Sequence, residues 1–431
     1  FDSKDPEPFK TYFEAVAREN AVKPRMETPL GWCSWYYYFK NITHTEISKN
    51  LQAVSQLKAQ LPLKFFQIDD GFEQDVGSWF EFSQEFPEGV DGLAAEIREE
   101  GLTPGIWLAP FIVEPHSRLI KRHPNWLLRN HDNRLVNSGF VWGGLGRTLD
   151  LTHPDARGYV RDVIRTAVRE WGYPYLKLDF LYSAALPGAF YDPTKTRAQV
   201  LRQALELIRE EAGEDAILLG CGCPLGSGIG IFDMFRISAD VSPEWEPNAY
   251  GIKKPFKAEP NMPCARNAIQ NIITRAPMDP HWWVNDPDCL LVRKDSKLTL
   301  PEVQSLATAI SLSGGAILIS DDMSKLSEDR LWIARSLLPV LPPDPHVVDL
   351  QVPWVREVWV NLPDPAGVLE QRHQQEHLLL WRRPLVAADH RAAHAQRIVG
   401  RRGTQHLRLA AVGVVANHVG PRRRARQAGQ E

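Results

Sequence analysis

Cysteine is scarce and odd in number: Cys33, Cys221, Cys223, Cys264 and Cys289 are the only five in 431 residues. That count excludes a disulfide framework and favours a reducing compartment, the cytoplasm. Cys221 and Cys223, in "GCGCP", have no His/Cys partner pair at zinc spacing, which argues against a metal there. No apolar run reaches the roughly 18 residues of a membrane helix. Lys and Arg total 50 against 53 Asp and Glu, a net charge of -3. Nothing in that balance favours nucleic acid or an anionic membrane as partner. No glycine-rich phosphate loop follows the first apolar strand, which argues against an open dinucleotide-binding sheet. The first strand also lacks an H-x-H, and His116, His153 and His281 fall away from strand ends. A metal-dependent barrel hydrolase is therefore disfavoured. The expectation is no metal and no cofactor.

What the chain does have is alternation. Short apolar stretches read as strands: "LGWCSWY" (30–36), "KFFQIDD" (64–70), "TPGIWLAPF" (103–111), "YLKLDF" (175–180), "AILLGCG" (216–222), "MFRISAD" (234–240), "HWWVND" (281–286) and "GAILISD" (315–321). Amphipathic helical stretches lie between most of them. Thr43 or Thr45 can cap one in which Ile47, Leu51, Val54 and Leu57 share a face. Val160, Val163, Ile164, Ala167 and Trp171 repeat the pattern up to Gly172, and a third helix stops at Gly213. Eight strands, mostly followed by helices, predict an α/β fold of the (β/α)8 TIM-barrel type. In "YPYLKLDFLYS", strand alternation puts Tyr175, Lys177 and Asp179 on one face and Leu176, Leu178 and Phe180 on the other.

Carboxylates gather at the predicted strand ends: Asp69, Asp70, Asp179, Asp240, Asp286 and Asp321. Active sites of such barrels sit at that end. Two carboxyl groups flanking one bond, with aromatics around them, suit glycoside hydrolysis. Tryptophans are plentiful, 14 in all, although any single one has barrel packing as its default role. The "NDPD" segment, Asn285 to Asp288, reads as a turn made rigid by Pro287, with Asp286 supporting the site from behind.

"GWCSWYYYF", "FQIDDGFEQDVGSW", "GIWLAPF", "YLKLDFLY", "LGCGCPL", "MFRISADVSPEW" and "WWVNDPDCL" occur in this order. Together they resemble glycoside hydrolase family thirty-six, the α-galactosidases, over about residues 10 to 335. The resemblance implies a retaining enzyme that removes terminal α-D-galactosyl residues from small oligosaccharides of the melibiose and raffinose type. Asp179 would be the nucleophile and Asp240 the acid/base. Asp69 and Asp70 would bind the galactose 4- and 6-hydroxyls, and Lys177 the 3- and 4-hydroxyls. Cys221 and Arg236 would lie near the 2-hydroxyl, Trp107 would line the pocket, and Trp35 and Tyr36 would form its wall. Galactosyl transfer of the raffinose- and stachyose-synthase type, and an inactive sugar-binding fragment, are the alternatives. A homo-oligomer is also among the implied states.

Charge around these residues carries its own expectations. The Lys177 ammonium favours an ionised Asp179. Asp179 favours a protonated Asp240, while Arg236, four residues before Asp240, favours an ionised one. The sequence does not order the two.

The resemblance also divides the chain. Residues 1–26 would be a linker and helix following a β-sandwich domain that precedes the barrel in relatives. Residues 27–340 would be the barrel, and 341–367 the start of a C-terminal β-domain. After Gly367 there is no Lys, Phe, Tyr, Cys or Met, and six of the 13 His lie there. Segment 368–431 is therefore expected to be either a disordered basic tail or an out-of-frame translation.

Overall fold

The computed structural model describes residues 8–248 and 259–341, and beyond them four strands, Pro345–Val347, Glu357–Asn361, His394–Val399 and Gln405–Ala410. All eight expected barrel strands form: β1 Leu30–Cys33, β2 Phe65–Ile68, β3 Thr103–Leu108, β4 Tyr175–Leu178, β5 Ile217–Gly220, β6 Met234–Arg236, β7 Val284–Asp286 and β8 Ile317–Ile319. They are parallel, and neighbours follow chain order from β1 to β7. β8 pairs with β1, Leu30 opposite Ile317. After β7 the chain turns at Pro287 and resumes at Cys289–Leu290, which pairs with β8, Cys289 opposite Leu318. The Ala316 amide also donates to the Asn285 carbonyl at 2.8 Å. The sheet thus closes through both halves of its seventh strand, giving the TIM barrel expected from the alternation.

Local sequence explains the surrounding helices. Thr43, not Thr45, caps His44–Leu57, its Oγ1 accepting from the Glu46 amide at 3.1 Å. Ile47, Leu51 and Val54 are buried as their spacing requires. In Arg197–Ala212, Thr196 and Gln199 form a reciprocal capping box, and Gly213 ends the helix at φ +87°. Each fully buried Leu, Ile or Val of this kind contributes about 1.5–3 kcal/mol. His394–Val399 and Gln405–Ala410 fall within 368–431 and join the other two outer strands in an antiparallel sheet. The remainder of 368–431 lies outside the described residues, as do residues 1–7. Among the described residues no helix is long and apolar enough to cross a membrane.

Strand alternation explains how the barrel interior is layered. Phe65, Tyr175, Leu219, Met234, Val284 and Ala316 form one apolar cluster inside the sheet. Leu176 and Leu178 point the other way, into the main core with Val163 and Ile164. Two residues beyond the apolar layer come Gln67, Lys177, Cys221, Arg236 and Asp286. Two residues further on come Asp69, Asp179 and Asp288. The period of a strand therefore lifts polar groups onto a hydrophobic floor at the C-terminal mouth.

Gly105 makes room for that floor. A Cβ there would sit 2.3 Å from Cδ1 of Tyr175, whose hydroxyl is held by Gln67 Oε1 at 2.8 Å. Gly105→Ala is expected to destabilise the barrel by about 1–3 kcal/mol through overpacking. Urea unfolding would read this as a lower midpoint at unchanged slope. An unchanged midpoint would mean that the Tyr175 ring is free to yield.

Candidate active site

Asp179 follows the last residue of β4, its amide donating to the Leu108 carbonyl at 2.8 Å. Its Oδ1 accepts from the Phe180 amide at 2.6 Å, and its Oδ2 from Trp107 Nε1 at 3.3 Å. The first of these bonds folds the strand end back. Phe180 consequently takes φ +52° and packs against Trp142 and Tyr182, with ring centroids 5.2 and 6.3 Å away. This corrects the expectation that Phe180 lies on the outward face with Leu176 and Leu178. Gly222, at φ +52°, closes the other side: a Cβ there would lie 2.8 Å from Asp179 Oδ1.

Lys177 is 4% exposed and Asp69 1%, and they form a buried ion pair, Nζ to Oδ2 at 2.9 Å. Burial alone would favour the neutral amine. The surrounding groups, Asp69 foremost, together outweigh it and hold Lys177 well above the usual lysine range. Asp69 is gripped on every side: Gln67 Nε2 donates to Oδ2 at 2.6 Å, the Asp70 amide to Oδ1 at 3.1 Å, and the Asp69 amide donates to Ser34 Oγ at 2.9 Å. The pairing corrects the charge argument made for Asp179. Lys177 does pull the Asp179 pKa down, but burial pushes it up more strongly, Asp240 adds to the push, and the result is a raised value.

Asp70 Oδ2 accepts from Trp142 Nε1 at 3.0 Å, and Oδ1 lies 3.9 Å from Lys40 Nζ. Trp142 sits at φ +47° between the strands Asn137–Val141 and Gly144–Thr148, so this hairpin is what reaches over to Asp70. Behind Asp70 lies buried Glu73, pushed well above the ordinary carboxylate range by burial and then by the Asp70 charge.

Arg236 ends β6 and is buried. Its guanidinium meets three carboxylates: Nη1 to Asp240 Oδ1 at 3.0 Å, Nε to Asp286 Oδ2 at 2.9 Å and Nη2 to Asp288 Oδ1 at 3.0 Å. Asp286 thus supports the site from behind, as the turn reading anticipated. Asp240 is half-exposed at the mouth, with 51% of its side chain accessible. Cys221 is buried, and burial, then the Asp179 charge, push its thiol well up, so it remains an S–H rather than a thiolate. Tyr36 is buried and its hydroxyl donates to Asp288. Trp35, on the short helix Trp35–Tyr38, is only partly buried and packs edge-on against Phe39 at 5.4 Å. No bond ties Trp35 to the carboxylates.

Eight of the ten expected residues are thus bonded into three centres, Lys177–Asp69, Trp107–Asp179 and Arg236–Asp240, with Cys221 feeling the Asp179 charge and Trp35 at the margin. Sequence reasoning missed Asp288, Gly222 and Trp142. Asp288 lay inside a recognised segment but was read as turn chemistry. Trp142 is distant in sequence from every barrel-strand end, and nothing local set it apart from the other tryptophans.

A melibiase family model matches residues 19–208. The α-galactosidase TtGalA from Thermus thermophilus is 32% identical, with 81% of this chain and 68% of TtGalA covered and a TM-score of 0.70. The α-galactosidase AgaA from Geobacillus stearothermophilus is 29% identical over 192 residues, 42% of this chain. That match takes in 24% of AgaA, so it spans about a quarter of this curated relative. The solved structure of AgaA, a GH36 α-galactosidase, shares the fold at a TM-score of 0.57 and 14% identity.

Proposed function

We propose, since the chain belongs to the melibiase family of α-galactosidases, that its pocket hydrolyses terminal α-D-galactosides with retention of configuration. The observation that carries this reading is the pair of carboxyls at the ends of β4 and β6, Asp179 partly buried beside Trp107 and Asp240 half-exposed beside Arg236. One oxygen of Asp179 would attack the anomeric carbon as the glycosidic C–O bond breaks. Asp240 would give its proton to the departing oxygen, then take one from the water that cleaves the glycosyl ester and frees Asp179. An enclosed, anchored nucleophile and a solvent-facing proton donor suit those two tasks. Asp69, Asp70 and Lys177 would hold the galactose hydroxyls, Cys221 and Arg236 would face the 2-hydroxyl, and Trp107, Tyr36 and Trp35 would wall the pocket. Small oligosaccharides are the favoured substrate class, because TtGalA has been solved with p-nitrophenyl α-D-galactopyranoside and with stachyose.

The deciding experiment follows the first-formed product by proton NMR. With p-nitrophenyl α-D-galactopyranoside, α-galactose is expected to appear before mutarotation mixes the anomers. β-Galactose as first product would refute the retaining mechanism. Absence of hydrolysis at any protein concentration would refute the enzyme reading and favour a binding fragment.

A further inference from the structure

We infer that Asp286 and Asp288 are positioning residues whose two carboxylates occupy Arg236, so that the carboxyl at Asp240 can hold the proton it delivers. The inference rests on the reading of Asp240 as acid/base. A lone guanidinium 3.0 Å from that carboxylate would favour its ionised form and oppose its work as an acid. Arg236 is not alone. Its Nε and Nη2 are taken by two fully buried carboxylates at 2.9 and 3.0 Å. One positive charge is thereby shared among three acids, and Asp240, the half-exposed one, receives only part of it. Water at the mouth weakens that part further.

The same two residues set the position of Asp240. β6 and β7 pair in register, Arg236 opposite Asp286. The Ile237 amide donates to the Asp286 carbonyl at 3.0 Å, and the Val241 amide, next in the chain after Asp240, donates to Asp288 Oδ2 at 2.7 Å. Asp288 itself stands at φ +73°, a conformation stabilised by its amide donating to Asp286 Oδ1 at 2.9 Å. Its Oδ1 also accepts from the Cys289 amide at 2.7 Å, and Oδ2 from the Tyr36 hydroxyl. Asp288 therefore grips Asp240 twice, through Arg236 and through the following peptide. Burial, working against the pull of Arg236, leaves Asp288 pushed up to about 6, and Asp240 is among the charges pushing it up, so the two carboxylates feel one another. Among the described residues, Asp179, Tyr36 and Cys221 also feel the Asp240 charge, and Asp288 also faces Lys177 and Cys289.

The test compares Asp288→Asn and Asp286→Asn with wild type, by pH profiles of kcat/KM on two substrates. One is p-nitrophenyl α-galactoside, whose leaving group departs with little protonation. The other is melibiose, whose leaving alcohol needs the proton. Each variant keeps the residue's shape but frees positive charge towards Asp240. The alkaline limb is expected to move to lower pH by about one unit, and melibiose turnover to fall by the larger factor. Either variant alone suffices should the other fail to fold. Limbs coincident with wild type, or equal losses on both substrates at every pH, would overturn the inference and leave a structural role. An inactive wild type would instead remove the enzymatic reading beneath it.

Discussion

Asp179→Ala is expected to lower kcat/KM on p-nitrophenyl α-galactoside by roughly 10⁴-fold or more, the scale on which losing a covalent nucleophile acts. Azide should restore part of the turnover, because the shortened side chain leaves space for a small anion to attack in its place. Activity within tenfold of wild type would refute Asp179 as nucleophile. A second variant separates chemistry from folding. Burial holds the Asp179 carboxyl above its ordinary range, against the pull of Lys177. Its ionised form is therefore a burden on the native state above that range. Below the unfolded value, about 3.9, the carboxyl is protonated in both states and the burden vanishes. Asp179→Asn should accordingly be inactive yet unfold at a higher temperature than wild type at pH 7, with the advantage fading as pH falls through the carboxylate range. An equal or lower midpoint at pH 7 would mean that the bonds from Phe180 and Trp107 matter more than desolvation.

Much of this arrangement was legible in the amino-acid order because two short-range regularities decide it. A period of two puts Tyr175 on the barrel floor, Lys177 above it and Asp179 at the mouth, and the same step links Phe65, Gln67 and Asp69. A period near 3.6, with a Thr or Gly at the boundary, sets the helices that cover the outside. What escaped the reading depends on distances between strands or on backbone twists at their ends. Lys177 pairs with a carboxylate 108 residues away rather than with the one two residues along its own strand. Phe180 breaks the alternation because the Asp179 side chain captures its amide. Asp288 follows a proline and adopts a left-handed backbone, so its segment looked like a turn whether or not its carboxylate was used. The balance at Asp179 was also beyond sequence, since burial and a lysine oppose one another there and only the geometry ranks them.

Asp69→Ala is expected to affect the fold as well as the sugar. Asp69 and Lys177 are both buried, and the ammonium has no other carboxylate within ion-pair distance among the described residues. Removing one partner of a buried pair leaves the other charged and desolvated, at a cost of about 3–5 kcal/mol. Lys177 has its pKa raised in the folded protein, so the pair's contribution is fully present below the unfolded lysine value, about 10.4, and is lost only as pH rises through the higher folded value. The deficit of Asp69→Ala should therefore be constant across neutral pH. Adding Lys177→Met to that background removes the stranded charge and should recover most of the stability, while hydrolysis stays at the level of Asp69→Ala. A double variant no more stable than the single one would show that Asp69 acts on the fold through Gln67, Ser34 and the Asp70 amide instead. Asp70→Ala provides the contrast, since Asp70 is bound by Trp142 Nε1 and faces Lys40 only at 3.9 Å. Its loss should cost far less stability and fall on recognition. Polar groups that match a substrate hydroxyl can reject the mismatched sugar by roughly 10⁴–10⁵ in rate. The ratio of kcat/KM for the α-galactoside over the α-glucoside should collapse in Asp70→Ala by a large part of that factor. An unchanged ratio would remove Asp70 from the selection of the 4-hydroxyl.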